Sequence, residues 1–345
     1  MTDATCGVRH DLPLLQEAFG LGELDMKDLT YLPDGMMNRN WRLRTDRGTY
    51  ALKQILDVPL DMARRNLRVQ ALLATAGIPA CVPEVSVDGD VVIEAAGRGY
   101  CLLPWAQGTH LRGPTLSLEQ VRRFGRLTAR IHHRLNSFPP ESGLAPVTVA
   151  PPAAVADSAA AVTEADRYLR LISSLEVRQP FDVTVAALLE QRKNLLAEYA
   201  GRRPASDSPA GPAGWTHGDL QYRNLLWRDG DIVAVLDWDR IQVRTLAEEI
   251  TRTAMVQFTS QEGHLHLEHV AAFAAGYRHV IPLRSQEVAD ALDRLWWRRM
   301  TSFWQLDHHY NLGTHGAAEL IVLTERLLAW WSEHREEVAA AFTMA

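Results

Sequence analysis

The sequence predicts an α+β protein, with a small antiparallel β-sheet near the N-terminus and helices over most of the remaining chain. Residues 31–56 form three short runs of alternating apolar and polar side chains, separated by two glycine-containing turns, which is typical of neighbouring strands. Beyond residue 240, apolar residues recur about every 3.6 positions, as in amphipathic helices. The composition is that of an ordinary globular chain, because 47% of the residues are hydrophobic and 23% are charged.

The N-terminal third is predicted to contain the sheet and one main helix. Pro33-Asp34-Gly35 and Asp46-Arg47-Gly48 are turn signals that separate the first three strands. The main helix, over residues 60–76, is followed by Gly77, a residue type that favours helix termination. The other elements predicted here are a helix over 11–20 and strands over 84–87, 91–94 and 100–103.

The rest of the chain is predicted to be mostly helical. Ser117 is a suitable N-cap for a helix over 116–135. Residues 136–162 are rich in Pro, Ala and Ser and predict an irregular insertion, while residues 201–214 predict a mobile loop. The remaining predicted helices span 163–175, 182–200, 246–258, 265–277, 285–306 and 317–341.

Residues 215–240 carry two polar clusters, one on each side of a predicted β-hairpin. His217-Gly218-Asp219 precedes the hairpin, and Asn224 follows Asp219 by five residues. The hairpin is predicted to turn at Asp229-Gly230, and Asp237 comes directly after its second strand. Both clusters lie at the open end of the hairpin, so we expect Asp219, Asn224 and Asp237 to converge there.

A convergence of two carboxylates and an amide suits phosphoryl transfer. This reaction needs a carboxylate that orients the attacking hydroxyl and accepts its proton, and oxygen ligands that hold Mg²⁺ against the phosphates. In protein kinases an Asn follows the catalytic Asp by five residues, and a metal-binding Asp lies beyond the next hairpin. Asp219, Asn224 and Asp237 have that order and spacing. The stretch resembles the aminoglycoside phosphotransferase and choline kinase family, whose catalytic loop has His-Gly-Asp in place of His-Arg-Asp.

The resemblance implies a bilobal protein-kinase-like fold, with a small antiparallel β-sheet in the N-lobe and a mostly helical C-lobe. It identifies Asp219 as the expected catalytic base, and Asn224 and Asp237 as the expected metal ligands. The implied domains are an N-lobe over 1–103, with a nucleotide-covering sheet and one main helix, a hinge over 104–108, and a C-lobe over 109–345 that contains the catalytic loop (217–224) and C-terminal substrate-binding helices.

The same resemblance implies a nucleotide site for ATP, with GTP as the alternative nucleotide. Lys53, in the third strand, is expected to contact the α- and β-phosphates. Gly35 is expected in the loop that covers the nucleotide. In the hinge, Leu103 would line the base pocket, Pro104 would accept a hydrogen bond through its carbonyl, and Ala106 would donate one through its N–H.

The helix after the third strand departs from the kinase pattern. In protein kinases a Glu of this helix holds the lysine, whereas residues 62–74 of this chain contain no Asp or Glu. The position where relatives carry the acid is occupied by Asn66. We therefore predict that a neutral amide, from Asn66 or Gln70, positions Lys53. The alternative is a carboxylate from elsewhere in the chain, of which Glu84 is the nearest in sequence.

The predicted function is Mg²⁺- and ATP-dependent transfer of the γ-phosphoryl group to a hydroxyl of a small molecule. The resemblance extends to homoserine-kinase-like and antibiotic-phosphorylating members. The long Ala/Pro insertion and the aromatic-rich C-terminal region favour a larger acceptor, such as an antibiotic or another natural product, which would make the protein an antibiotic-resistance or biosynthetic kinase. A kinase of homoserine, choline or methylthioribose is the alternative, and a pseudokinase that binds nucleotide without turnover is the alternative of another class.

Two further chemistries fit the sequence less well. Asp237 and Asp239 match the Asp-x-Asp pattern of some glycosyltransferases, but this assignment leaves His217-Gly218-Asp219 and Asn224 unexplained. A Ser or Cys hydrolase is disfavoured because the chain has no Gly-x-Ser-x-Gly turn and no Cys beyond Cys101. The missing Asp-Phe-Gly and Ala-Pro-Glu signatures disfavour a protein substrate.

Charge and apolar patterning limit the expected partners and location. A net charge of −6 argues against nucleic acid as a partner, because proteins that bind it carry an excess of basic residues. No stretch reaches the roughly 20 apolar residues of a membrane span. Three scattered cysteines and the lack of a signal-peptide pattern predict a reducing, cytoplasmic environment. We expect a monomer or homodimer whose partner is a small-molecule hydroxyl substrate.

Overall fold

The computed structural model describes residues 3–22, 24, 26–33, 37–313 and 318–343, and confirms the predicted α+β class. The strands are β1 (Leu29–Leu32), β2 (Arg39–Thr45), β3 (Gly48–Ile55), β4 (Ile93–Ala95), β5 (Arg98–Pro104), β6 (Ala213–Thr216), β7 (Leu225–Arg228), β8 (Asp231–Val235) and β9 (Gln242–Thr245). The helices are α1 (Asp3–Phe19), α2 (Leu60–Thr75), α3 (Leu118–Leu135), α4 (Ser158–Ser173), α5 (Pro180–Glu198), α6 (Leu246–Gln257), α7 (Leu267–Arg278), α8 (Ser285–Thr301), α9 (Trp304–Leu306), α10 (Ala318–Glu333) and α11 (Arg335–Thr343).

The chain forms two compact units, each assembled from three segments. Unit 1 consists of Met1–Leu111, Arg130–Pro146 and Trp215–Gln242, and unit 2 of Arg112–Ala129, Val147–Gly214 and Val243–Ala345. Unit 1 contains the larger sheet and the hairpin β7–β8, whereas unit 2 is mostly helical. The predicted boundaries of an N-lobe, hinge and C-lobe stay predictions.

Five strands of unit 1 form one antiparallel sheet in the order β1-β2-β3-β5-β4. Successive residues of a strand point to opposite faces. One face carries Trp41, which is fully buried in a cluster with Phe19 of α1. The opposite face carries Lys53 and its cross-strand neighbour Cys101, which packs with Leu67 of α2. The alternation seen in the sequence therefore divides the sheet into an α1-covered face and a face that carries Lys53.

The predicted hairpin over the central stretch is confirmed as β7–β8. Its turn residues, Asp229 and Gly230, have φ values of 53° and 85°, the left-handed conformation that tight hairpin turns require. Thr109 and Trp227 exchange two backbone hydrogen bonds of 2.9 Å. The Val235 N–H donates to the carbonyl of Pro79 at 2.6 Å. These bonds attach the hairpin to the segment after β5 and to the segment after α2.

The predicted strand over 84–87 is wrong. The Glu84 N–H donates to the carbonyl of Leu102 at 2.9 Å, but the Ser86 N–H then donates to the carbonyl of Asp90 at 2.8 Å and closes a turn. The segment therefore leaves the sheet after a single bond, although its Val residues favour a strand.

Two predicted helices are shorter than expected. The helix predicted over 285–306 ends at Thr301, and the one predicted over 317–341 is divided at His334 into α10 and α11. The carbonyl of Ser302 accepts a hydrogen bond of 2.8 Å from the buried Arg192. The imidazole Nδ1 of His334 lies 2.8 Å from the Trp330 carbonyl oxygen. Apolar periodicity continues across both breaks, so the sequence pattern did not reveal them.

Candidate active site

Asp219 lies on the loop between β6 and β7 and is half-buried. The side-chain amide of Gln221 donates to Asp219 Oδ2 at 3.1 Å. The side-chain amide of Asn224 donates to the Asp219 carbonyl at 2.8 Å and lies 3.4 Å from Oδ2. The loop therefore holds both the backbone and the carboxylate of Asp219.

The buried His217 holds this loop through both of its ring nitrogens. Its Nε2 lies 3.0 Å from the Leu236 carbonyl oxygen, and its Nδ1 lies 3.3 Å from the Asp219 N–H. The two contacts fix the orientation of the imidazole ring. The next residue, Gly218, has a φ of 84°, and a Cβ there would lie 2.0 Å from the carbonyl oxygen of Arg240. Only glycine fits this position of the loop.

The hairpin brings Asn224 and Asp237 together. The Leu236 N–H donates to the Asn224 carbonyl at 2.8 Å, which places the two predicted metal ligands at adjoining points of the backbone. Asp237 has a φ of 60°, an uncommon conformation that Asp and Asn tolerate better than most residues. Its side chain is 38% exposed. The carboxylate is thus available to a cation from solvent.

Lys53 is paired with two carboxylates. Its Nζ lies 2.6 Å from Asp237 Oδ1 and 2.6 Å from Asp239 Oδ2. The prediction that a neutral amide of Asn66 or Gln70 positions this lysine is therefore wrong. Glu84, the carboxylate considered as the alternative, is not the partner either. The acids come from beyond the hairpin, far from Lys53 in sequence.

The two amides have other partners. Asn66 donates to the Asp239 carbonyl at 2.6 Å, and Gln70 donates to the carbonyl of Cys81 at 2.6 Å. Asn66 thus contacts the backbone of the segment that supplies the carboxylates.

The three charged groups shift one another's pKa. Burial alone would lower the pKa of Lys53, but Asp237 and Asp239 raise it above the ordinary value, so the amine stays charged. Burial raises the pKa of Asp239 although Lys53 and Asn38 act against it. For Asp237 the Lys53 charge and hydrogen bond outweigh burial, and the pKa falls below its usual range.

We call residues Asp237–Ile241 the metal loop, after the metal ligand predicted at its first residue. Side chains from the N-terminal part of the chain hold this loop. Asn38 donates to Asp239 Oδ2 at 2.8 Å. Arg240 makes two hydrogen bonds to Asp57, of 2.7 and 2.9 Å. Arg65 donates to the Ile241 carbonyl at 3.1 Å. None of these contacts was predicted from the sequence, and the second acid of Asp237-Trp238-Asp239 is the clearest signal for them.

Leu103 and Lys53 share one face of the sheet. Leu103 lies opposite Ala51, and Cys101 lies opposite Lys53, in the pairing of β5 with β3. Directly opposed side chains of an antiparallel pair point to the same face. Burial raises the pKa of the Cys101 thiol to about 12, which leaves it neutral beside the lysine.

The remaining predicted nucleotide-binding residues are at the end of β5 and in the covering loop. Pro104 ends β5, and Pro104 and Ala106 are partly exposed. The Trp105 N–H between them donates to the Thr49 carbonyl at 3.0 Å and is therefore already used. Gly35 lies outside the described residues.

The groups on unit 1 fit a divalent cation and a polyphosphate. Asp237 and Asn224 offer the carboxylate and amide oxygens that Mg²⁺ and Ca²⁺ accept as ligands. Lys53 offers an ammonium group to phosphate oxygens. These donors belong to segments that the hairpin and the sheet bring together.

Comparisons with known proteins agree with this chemistry. Residues 28–283 match the model of the phosphotransferase enzyme family. The chain is 25% identical to a homoserine kinase of Xanthobacter autotrophicus over 295 residues, which cover 82% of this chain and 81% of that protein.

Two solved structures show the same fold. An amicoumacin kinase in complex with AMP-PNP, Ca²⁺ and Ami aligns with a TM-score of 0.61 and 17% identity, covering 94% of this chain and 93% of that one. A spectinomycin phosphotransferase in complex with ADP and spectinomycin aligns with a TM-score of 0.58 and 13% identity, covering 94% and 98%. Among the described residues, no helix is both long and apolar enough to cross a membrane. The family match spans well over half of the chain, and the protein therefore belongs to the phosphotransferase enzyme family.

Proposed function

We propose that this protein is a kinase that transfers the γ-phosphoryl group of ATP to a hydroxyl of a small molecule, with Mg²⁺ as its metal. One observation carries the proposal: Asp219, Asn224, Asp237 and Lys53 are brought together in unit 1 by hydrogen bonds, one of them to the residue before Asp237, and by the ion pair of Lys53 with Asp237. Asn224 bonds to Asp219, its backbone bonds to the residue before Asp237, and Asp237 pairs with Lys53.

Asp219 is the proposed base. The Gln221 and Asn224 amides restrict the orientation of its carboxylate. A carboxylate in this position accepts the proton of the attacking hydroxyl as the phosphoryl group is transferred. Because Asp219 is only partly buried, an acceptor hydroxyl can reach its carboxylate.

Asp237 and Asn224 are the proposed Mg²⁺ ligands. The amide nitrogen of Asn224 is engaged with Asp219, so its amide oxygen is the atom left to ligate a metal. A metal held by these two residues would neutralise negative charge on the phosphates. Lys53 is proposed to bind the phosphates, and Leu103, Pro104 and Ala106 the base. Gly35 remains a proposed part of the covering loop.

An antibiotic or related natural product is the acceptor that we propose. The support is the shared fold with an amicoumacin kinase and with a spectinomycin phosphotransferase bound to spectinomycin. Homoserine is the second candidate, because the relative that is 25% identical is a homoserine kinase. We propose a cytoplasmic location for either activity.

A screen for ADP release tests the activity and the acceptor together. The purified protein, ATP and Mg²⁺ are mixed with aminoglycosides, spectinomycin, amicoumacin, homoserine, choline or methylthioribose, and each product is checked by mass spectrometry. We expect phosphorylation of one acceptor class, and its loss when EDTA removes the metal. Nucleotide binding without turnover on any acceptor would favour a pseudokinase.

Asp219→Asn should lower turnover by about 10²–10⁴-fold, the range for general-base groups. The affinity for MgATP should be nearly unchanged, because the Asn224 bond to the residue 219 carbonyl is kept. The matched control is Asp229→Asn, at an exposed position of the same hairpin where Asn tolerates the positive φ. Equal turnover of the two variants would remove Asp219 from the mechanism.

A further inference from the structure

Of the two carboxylates that pair with Lys53, Asp239 has more hydrogen-bond partners than Asp237. Its Oδ2 contacts both Lys53 Nζ, at 2.6 Å, and Asn38 Nδ2, at 2.8 Å. Its backbone carbonyl accepts the 2.6 Å hydrogen bond from Asn66. Asp239 is thus held through its side chain and its backbone by residues that come before and after β3.

The amide of Asn38 is itself fixed. Its Oδ1 accepts hydrogen bonds from the Leu56 N–H at 2.8 Å and the Asp57 N–H at 3.1 Å. These two residues follow directly after β3, the strand that carries Lys53. Asn38 therefore couples the position of the Asp239 carboxylate to the end of the lysine's own strand.

The two acids beside Lys53 differ in how accessible they are. The side chain of Asp237 is 38% exposed, whereas those of Asp239 and Lys53 are each 10% exposed. A metal ion arriving from solvent can reach Asp237 and would compete with Lys53 for it. Lys53 would still need an anionic partner, because an uncompensated buried ammonium is costly.

We propose that Asp239 is the positioning residue for Lys53 during phosphoryl transfer, the task that an acid on α2 would otherwise perform. Asn38 and Asn66 hold Asp239 in position. Asp237 then serves the metal, and the two carboxylates of the metal loop have separate tasks. This inference rests on the proposed function, and its tests separate the two.

A double-mutant cycle tests whether Asp239 acts through Lys53. Asp239→Asn should lower kcat by at least about tenfold, the equivalent of one hydrogen bond to a charged group. Lys53→Met should lower it further. The double variant should be no slower than Lys53→Met alone, because a positioning residue has no effect once its target is gone. Independent, multiplying effects would assign Asp239 a different role and overturn the inference.

Asn38→Ala provides a second variant that leaves every charge of the site in place. It should lower kcat less than Asp239→Asn does, and it should have no further effect in the Lys53→Met background. Normal kcat in a folded Asn38→Ala protein would show that Asp239 does not depend on its hydrogen bond from Asn38 and would contradict that part of the proposal.

Metal binding provides a readout that needs no turnover. Mn²⁺ binding in the presence of ADP is measured by electron paramagnetic resonance for the parent, Asp237→Asn and Asp239→Asn. We expect at least about tenfold weaker binding for Asp237→Asn and little change for Asp239→Asn. Equal weakening in both would make Asp239 a metal ligand and refute the inference. If the parent binds Mn²⁺ and ADP but phosphorylates no acceptor, the proposed function fails, while this comparison still decides whether Asp239 is a metal ligand.

Discussion

The buried ion pair of unit 2 should respond differently to the loss of each partner. Arg192 and Glu325, on α5 and α10, have side chains that are only 2% and 6% exposed. Arg192 Nε donates to Glu325 Oε2 at 2.9 Å, and a second guanidinium nitrogen donates to Oε1. Glu325→Gln leaves a buried guanidinium without its counter-charge, and arginine cannot release its proton. We expect a loss of about 3–5 kcal/mol in the free energy of unfolding at pH 8, and no growth of that loss between pH 5 and pH 8.

Arg192→Met leaves a carboxylate, which can take up a proton. Burial raises the pKa of Glu325 even with Arg192 beside it, and without the guanidinium the pKa rises further. An acid whose folded pKa exceeds its unfolded pKa destabilises the fold once the pH rises above the unfolded value. The cost of Arg192→Met should therefore be smallest near pH 5. It should grow by up to about 1.4 kcal/mol per pH unit until the folded pKa is passed.

Urea unfolding, followed by tryptophan fluorescence at pH 5, 6, 7 and 8, measures both variants. The matched control is Glu164→Gln, because Glu164 and Arg167 form a partly exposed pair with side chains 39% and 41% accessible. This control should lose less than about 1 kcal/mol. The reasoning fails if Glu325→Gln costs no more than Glu164→Gln, or if both variants of the buried pair show the same pH dependence.

Two further predictions concern unit 1. Gly218→Ala should nearly abolish turnover and lower the melting temperature, because its Cβ would lie 2.0 Å from the Arg240 carbonyl oxygen. The control is Gly89→Ala, where the glycine has the same φ of 84° and a Cβ would meet nothing within 4 Å. This control should cost only about 1–2 kcal/mol of backbone strain and keep turnover. Hydrogen bonds from Arg98 and Tyr100 hold the pKa of Asp11 below its usual range, so Asp11 stabilises the fold above its unfolded pKa and loses that effect as the pH falls through the folded pKa. Urea unfolding from pH 7 to pH 2 should show Asp11→Asn less stable than the parent at neutral pH, with the difference closing in acid; a constant difference would contradict this.

The sequence predicted those structural features that depend on residues within a single strand, helix or turn. Alternation located β2 and β3, and Asp229-Gly230 located the hairpin turn, because both depend on neighbouring residues. The spacing of Asp219 and Asn224 suggested their proximity for the same reason. The breaks after Thr301 and at His334 were missed, since they occur where apolar spacing continues unchanged.

The partner of Lys53 could not be read from local patterns. Asp239 is distant in the chain, and the helix position expected to supply an acid holds Asn66 instead. The pairing depends on the side chains that attach the metal loop to the N-terminal elements, and no periodicity reports such contacts. The absence of an acid from 62–74 together with an Asp-x-Asp after the hairpin was the available clue.

The choice of Asn at position 66 follows from the charges around the metal loop. Asp237 and Asp239 already place two carboxylates against the single ammonium of Lys53. A Glu at position 66 would add a third acid beside the same loop, and burial already raises the pKa of Asp239. Like charges in a buried site oppose each other's ionisation. An amide avoids this repulsion and still donates to the Asp239 carbonyl, so Asn66 and Asp239 are complementary parts of one arrangement.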